Sequence, residues 1–184
     1  MRQVFTDSAP RLSVIIRYNP RSISFPRVFA HYTSMDLINP GILKDEVLLV
    51  VLDRYLDSDP ERECLPTYHF NMVNESTGAV MGAINLRIGN TYRIPLYRGH
   101  VGYRVEPEYR GNHLAARSVR LLIPLAGKHQ INPLWITCNS DNIASRRSCE
   151  LAGGELIEII DIPPDEEMYQ RGIRRKCRYR FNTA

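Results

Sequence analysis

The stretch from Val101 to Ala115 carries the residues best suited to do chemistry. An apolar strand-like run ends at Val105, the chain turns through Glu106-Pro107-Glu108-Tyr109, and a helical pattern begins at about Asn112. The first turn of a helix presents unpaired N–H groups and the positive end of the dipole. Gly111 would let a ligand approach the backbone closely, and Arg110 adds a fixed positive charge. Such a junction can cradle a phosphate or pyrophosphate. It is neither a Walker A loop, which needs Gly-Lys-Ser/Thr, nor the dinucleotide pattern GxGxxG. A plain surface turn containing Arg-Gly would read the same way.

Few residues could move protons. His100 has an intrinsic pKa close to neutrality, and Tyr103 and Glu106 lie nearby on the same strand and turn. Cys149 carries a thiol of intrinsic pKa about 8.5 that could donate a proton, although burial as a small hydrophobe is the competing reading. The four cysteines are scattered, with no CxxC pair, and the five histidines are dispersed, so no metal site is expected. A net charge of +4 suits an anionic small ligand but falls short of a dedicated nucleic-acid binder, so nucleic acid is not an expected partner. The basic run Arg171 to Arg180 reads as a solvated strand face and turn, or as a patch for an acidic substrate. No apolar run approaches the roughly 20 residues of a spanning helix. Leu12 to Ile16 is too short for a signal-peptide core, so a cytoplasmic protein with no membrane partner is expected.

The elements that must position these residues emerge from residue 46 onward. The chain has 184 residues, about the size of one domain, with 43% hydrophobic and 24% charged residues, as in an ordinary globular protein. Residues 1–45 are interrupted by Pro10, Pro20, Pro26 and Pro40. They are expected to form an extension or cover belonging to the same domain, with Leu12 to Tyr18 as a strand and Val28 to Leu37 as a short helix or irregular segment. Residues 46–184 form the main body. Glu46 to Leu52 reads as a strand and Leu56 to Pro66 as a loop. Thr67 to Val73 and Ala79 to Ile88 make a hairpin turning at Glu75-Ser76-Thr77-Gly78. After a loop over Gly89 to Arg98 come a strand over Gly99 to Val105 and a helix over His113 to His129. Pro124 should kink or end that helix. Leu134 to Cys138 is a strand, Asp141 caps a helix running to Ala152, and Glu155 to Ile160 is a further strand. The last strand buries Cys177, Tyr179 and Phe181. The order argues for an α/β (α+β) domain with a single mixed, mostly antiparallel sheet and flanking helices.

Two blocks in this pattern resemble the GNAT superfamily of N-acetyltransferases. That family's signature, Gln/Arg-x-x-Gly-x-Gly/Ala at a strand-to-helix junction, is met by Arg110 and Ala115, with His113 where glycine is usual. The second block runs Cys138-Asn139-Ser140-Asp141-Asn142-Ile143-Ala144-Ser145, then Cys149-Glu150-Leu151-Ala152-Gly153-Gly154. It is similar to the N-x-x-S … E-x-x-G helix of the branch that includes ribosomal-protein and aminoglycoside acetyltransferases. The resemblance implies that the strands at Gly99 to Val105 and Leu134 to Cys138 are parallel and splay apart. Acetyl-CoA would be the cosubstrate, its pantetheine arm bonded near Val105. Arg110, Gly111, Asn112, His113, Leu114 and Ala115 would hold its pyrophosphate.

Asn142 and Ser145 would meet the arm's amides or the thioester, or simply cap their helix. The acceptor would be a primary amine of a small molecule or protein, and a homodimer is open to the chain. Gly99 stands where some members carry a glutamate base, which leaves His100 as base candidate with Tyr103 and Glu106 as further ones acting through water, and Cys149 stands where the family often has a tyrosine as acid. A module of the same fold that binds acyl-CoA without catalysis is the alternative.

Overall fold

The computed structural model describes residues 37–59 and 63–184. The strand expected over Leu12 to Tyr18 and all but the last residue of the segment Val28 to Leu37 lie outside the described residues.

Two antiparallel sheets carry the fold. The first has five strands in the order β1 (Leu43–Asp45), β2 (Leu48–Leu56), β3 (Thr67–Asn74), β4 (Val80–Arg87) and β5 (Val101–Val105). The second has three, with β8 (Arg175–Phe181) between β6 (Leu134–Asn139) and β7 (Glu155–Asp161). Helices α1 (Leu114–Lys128), α2 (Ile143–Leu151) and the single turn α3 (Glu167–Gln170) complete it. The α+β class and the antiparallel pairing are those the sequence implies, but the single sheet expected there is divided into two.

β3 alternates buried Tyr68, Phe70 and Met72 with half-buried neighbours, and β4 does the same with Ile84 and Leu86. Their inward faces meet Leu114, Val119, Leu122, Leu125 and Ala126 of α1. Val119 and Leu122 are fully buried, each contributing about 1.5–3 kcal/mol of apolar transfer. Ile136 and Cys138 of β6 and Cys177, Tyr179 and Phe181 of β8 join the same core, so α1 bridges both sheets.

Three local expectations are corrected. The strand expected to begin at Glu46 starts at Leu48 and runs on to Leu56, because Glu46 takes a positive φ of 51° and Asp45 pairs with Leu48 across a tight turn. The helix does not stop at Pro124. It runs on to Lys128, since Pro124 and Arg120, whose carbonyl loses its partner, both sit on the exposed side where water can replace the bond. Asn142, not Asp141, caps α2: its side chain accepts from Ser145 N–H.

The β1–β2 turn anchors α1. Arg117 Nε donates to Asp45 Oδ2 at 2.7 Å, and Arg117 Nη2 reaches both Asp45 O and Glu46. The Arg117 hydrogen bond holds the Asp45 carboxyl below its ordinary pKa. This clamp fixes the helix whose N-terminus faces the candidate site.

Candidate active site

The two sheets meet where β5 and β6 begin. His100 N donates to Trp135 O at 2.7 Å, and Trp135 N donates to His100 Nδ1 at 2.9 Å. Thr137 Oγ1 closes the same end by donating to Tyr97 O. Beyond this seam the strands do not pair: β5 ends the first sheet and β6 begins the second. Two strand edges therefore face one another across a gap, with main-chain groups that no neighbouring strand satisfies. Tyr103 spans it, its hydroxyl lying 2.8 Å from Ser145 Oγ, 3.2 Å from Ser145 O and 3.7 Å from Cys149 Sγ.

Gly99, where some relatives would carry a glutamate, cannot take one. Its φ of 65° and ψ of 164° belong to a region open essentially to glycine alone. A Cβ there would lie 2.9 Å from Thr137 N and 3.1 Å from Trp135 O.

The seam also takes His100 out of the base role considered for it. The ring is fully buried. Nδ1 accepts the Trp135 N–H, so the proton resides on Nε2, 3.1 Å from Asn90 Oδ1. Burial lowers its pKa to about 4. A neutral imidazole with both nitrogens engaged joins strands and has no lone pair left to accept a proton.

Cys149 is likewise fully buried in the core. Its hydrogen bond with Cys138, then burial, push its thiol far above the ordinary range, while the Cys138 thiol is drawn down to about 7, chiefly by that same bond. Burial foremost keeps the Tyr103 phenol protonated. The sequence marks Tyr103 only as one side chain among several. Its partnership with Ser145 depends on α2 folding back over β5, which no local pattern encodes.

The other end of the gap is the strand-to-helix junction. Gly111 has φ 86° with open space where a Cβ would stand, and His113 has φ 53°. Histidine tolerates this left-handed region better than most residues, which accounts for its place in the glycine pattern. His113 makes no side-chain cap, so no side chain occupies the leading N–H groups of α1. Leu114 and Ala115 bury their side chains and leave only backbone at the junction. Arg110 Nε donates to Val105 O at 3.2 Å, and Asn112 Nδ2 donates to Tyr109 O. A groove of about 400 Å³ opens beside this turn, lined by Asn112, His113, Arg117, Arg120 and Leu151 among others. Uncapped donors, a dipole and a mobile-length cation fit an anionic ligand of the pyrophosphate kind.

Among the described residues there is no group of side chains able to hold a metal ion, and no helix is long and apolar enough to cross a membrane.

Comparison with known proteins agrees with this geometry. No curated protein matches the sequence significantly. Among solved structures the chain is similar to RimL, the ribosomal L7/L12 alpha-N-protein acetyltransferase, in complex with coenzyme A. The identity is 13% over 77% of this chain and 97% of that one, with a TM-score of 0.55. A structure proposed to be a ribosomal-protein-serine acetyltransferase from Vibrio cholerae has 13% identity over 79% and 99%, with a TM-score of 0.53. The chain spans less than two thirds of the length of three others, among them the ribosomal-protein-S5-alanine acetyltransferase from Vibrio fischeri (20% identity, 64% of this chain, 62% of that one, TM-score 0.49). The two likenesses with TM-scores above 0.5 speak for the fold. The acetyltransferase (GNAT) domain family matches residues 26–155, most of the chain, beginning well before Glu46. The chain therefore belongs to the acetyltransferase (GNAT) domain family.

Proposed function

We propose that the protein transfers the acetyl group of acetyl-CoA to a primary amine by direct attack within a ternary complex. The observation that carries this reading is the open gap between β5 and β6, running from the seam at His100 and Trp135 to the uncapped N-terminus of α1. Its strand edge at Val105, whose carbonyl meets the Arg110 side chain but no neighbouring strand on the gap side, suits the amides of a pantetheine arm, much as it would an added strand. The N–H groups from Gly111 to Ala115 and the Arg110 guanidinium would face the pyrophosphate. Asn142 orders the start of α2 as its cap, and Ser145 presents its hydroxyl to the gap.

In the reaction the amine nitrogen bonds to the thioester carbon, the carbon–sulfur bond breaks, and the ammonium proton passes to water. The protein mainly positions these partners. Tyr103, kept protonated by burial and bonded to Ser145 Oγ, would give a proton to the leaving thiolate and recover one from the nitrogen, by way of solvent, as the amide forms. Cys149 packs behind it.

Release of free CoA thiol over a panel of small amines and peptide N-termini tests the reading. Protein N-termini belong in that panel because RimL acts on ribosomal L7/L12. Turnover with at least one class is expected, and Tyr103→Phe should lower kcat by roughly 10²-fold with little change in acetyl-CoA affinity, within the usual range for a general acid. Acetyl-CoA binding without turnover across the panel would instead favour a non-catalytic binding module, a reading to which the absent glutamate at Gly99 lends weight. A cytoplasmic setting goes with the proposed activity.

A further inference from the structure

We propose that Cys138 and Cys149 are a reactive thiol pair, which a hydroperoxide converts to a reversible disulfide that closes the gap to its ligand. The consequence for ligand binding rests on the acetyl-transfer reading above; the disulfide rests on the thiols alone.

Three of the four cysteines meet in one place in the core. Cys138 of β6 and Cys177 of β8 are direct partners across the antiparallel pair, and strand alternation turns both side chains inward. Cys149 enters from α2 and its thiol donates a hydrogen bond to the Cys138 sulfur. That bond is the largest influence on both thiols of the pair. Cys177 is governed first by burial instead, so Cys149 is the partner with which Cys138 is engaged.

Cys138 is the sulfur placed to react first. It keeps 5% of its surface exposed, whereas Cys149 and Cys177 are fully buried. It lies on β6, which pairs with β8 and leaves its other edge toward the gap, and it hydrogen-bonds with Ser145. Its thiol, drawn down to about 7 chiefly by the Cys149 hydrogen bond, supplies thiolate at neutral pH. The thiolate attacks one oxygen of the hydroperoxide: an S–O bond forms, the O–O bond breaks, and the leaving oxygen takes the proton that Cys138 released. Cys149 then attacks the sulfenic sulfur: the S–S bond forms, the S–O bond breaks, and the Cys149 proton leaves with the hydroxide as water. Both electrons go to the hydroperoxide. Oxidation of Cys138 also removes the thiolate that holds the Cys149 proton, which frees the second thiol to act.

The bond would be felt in the gap. Cys149 lies one helical turn after Ser145, on the same face of α2. The Tyr103 hydroxyl meets both, 2.8 Å from Ser145 Oγ and 3.7 Å from Cys149 Sγ. A disulfide draws the two sulfurs from hydrogen-bonding to bonding distance and so pulls this face of α2 toward β6. It also consumes the thiol that Tyr103 touches. In the reducing interior of a cell such bonds are usually transient and redox-sensing, which suits a switch.

The test treats the full chain with hydrogen peroxide at neutral pH, alkylates the remaining thiols, and maps the linked peptides by mass spectrometry. A Cys138–Cys149 link is expected as the main product, and dithiothreitol should return both thiols. By calorimetry the oxidised chain should bind acetyl-CoA at least fivefold more weakly than the reduced chain. Cys149→Ala should stop at the Cys138 sulfenic acid, trapped as its dimedone adduct, and Cys138→Ala should lose no affinity on peroxide treatment. A Cys138 that stays reduced, a main link to Cys177, or undiminished acetyl-CoA affinity in the linked chain overturns the proposal. If the link forms but the reduced chain binds no acetyl-CoA, the acetyl-transfer reading falls and the thiol pair stands.

Discussion

Replacing Gly99 with alanine is expected to destabilise the protein by about 3–5 kcal/mol, the range reserved for backbone strain combined with a forced clash. Gly99 holds φ 65° and ψ 164° at the point where β5 leaves the turn that precedes it. An alanine there bears the strain of a conformation closed to side chains. Its Cβ would also meet Thr137 N at 2.9 Å, Trp135 O at 3.1 Å and Ile136 Cα at 3.2 Å, all of them backbone of β6 that cannot swing aside. The wedge would open the seam that sets the angle of the gap, so acetyl-CoA affinity should fall together with stability. For a chain of this size the thermal midpoint should drop by roughly 6–20 °C. Gly111→Ala is the control. It also has a positive φ, of 86°, but no atom lies within 4 Å of its Cβ position, so only about 1–2 kcal/mol is at stake. Equal losses in the two variants would show that the seam is not the rigid joint described here.

The second large effect is acid lability centred on His100. Its folded pKa is lowered by burial to about 4, from an ordinary value of 6.5. The unfolded chain therefore takes up a proton that the folded chain refuses between those values. The stabilising contribution is fully present above pH 6.5 and is lost as the pH falls through that window towards 4. The shift corresponds to something on the order of 3 kcal/mol. His69 and His129 are lowered as well and add to the same slope. The diagnostic is thus the difference between wild type and His100→Gln in urea midpoints measured from pH 7 to pH 4. The variant should start less stable, having lost the bond from Trp135 N–H, yet decline less steeply. Parallel declines would mean that His100 is not the buried neutral group the seam requires.

Much of the fold was legible in the sequence, because its elements are set by local periodicity. The alternation of Tyr68, Phe70 and Met72 and the turn at Glu75 to Gly78 announce the β3–β4 hairpin. The spacing of Leu114, Val119, Leu122 and Leu125 announces α1. The errors fall where side chains or solvent override local rules. Glu46 turns the chain in a left-handed conformation with no glycine or asparagine to advertise it, and Pro124 is tolerated because its side of α1 faces water.

The site is legible in part, for a similar reason. The proposed phosphate cradle lies within one contiguous segment, so Arg110 and Gly111 stand out beforehand. Tyr103 meeting Ser145 and His100 bridging to Trp135 both join residues separated by long stretches of chain. Only the topology reveals them. Even His113, which looks like a defect in the glycine pattern, is resolved by a single dihedral angle.

The central claim is that the gap and the uncapped helix together hold acetyl-CoA, and calorimetric titration tests it most directly. The full chain should bind acetyl-CoA in the micromolar range, and S-acetylpantetheine, which lacks the pyrophosphate, at least tenfold more weakly. Arg110→Ala should lose about 1–3 kcal/mol of the acetyl-CoA affinity and change S-acetylpantetheine binding little. No heat with acetyl-CoA up to millimolar concentration, or equal affinity for the two thioesters, would contradict the account.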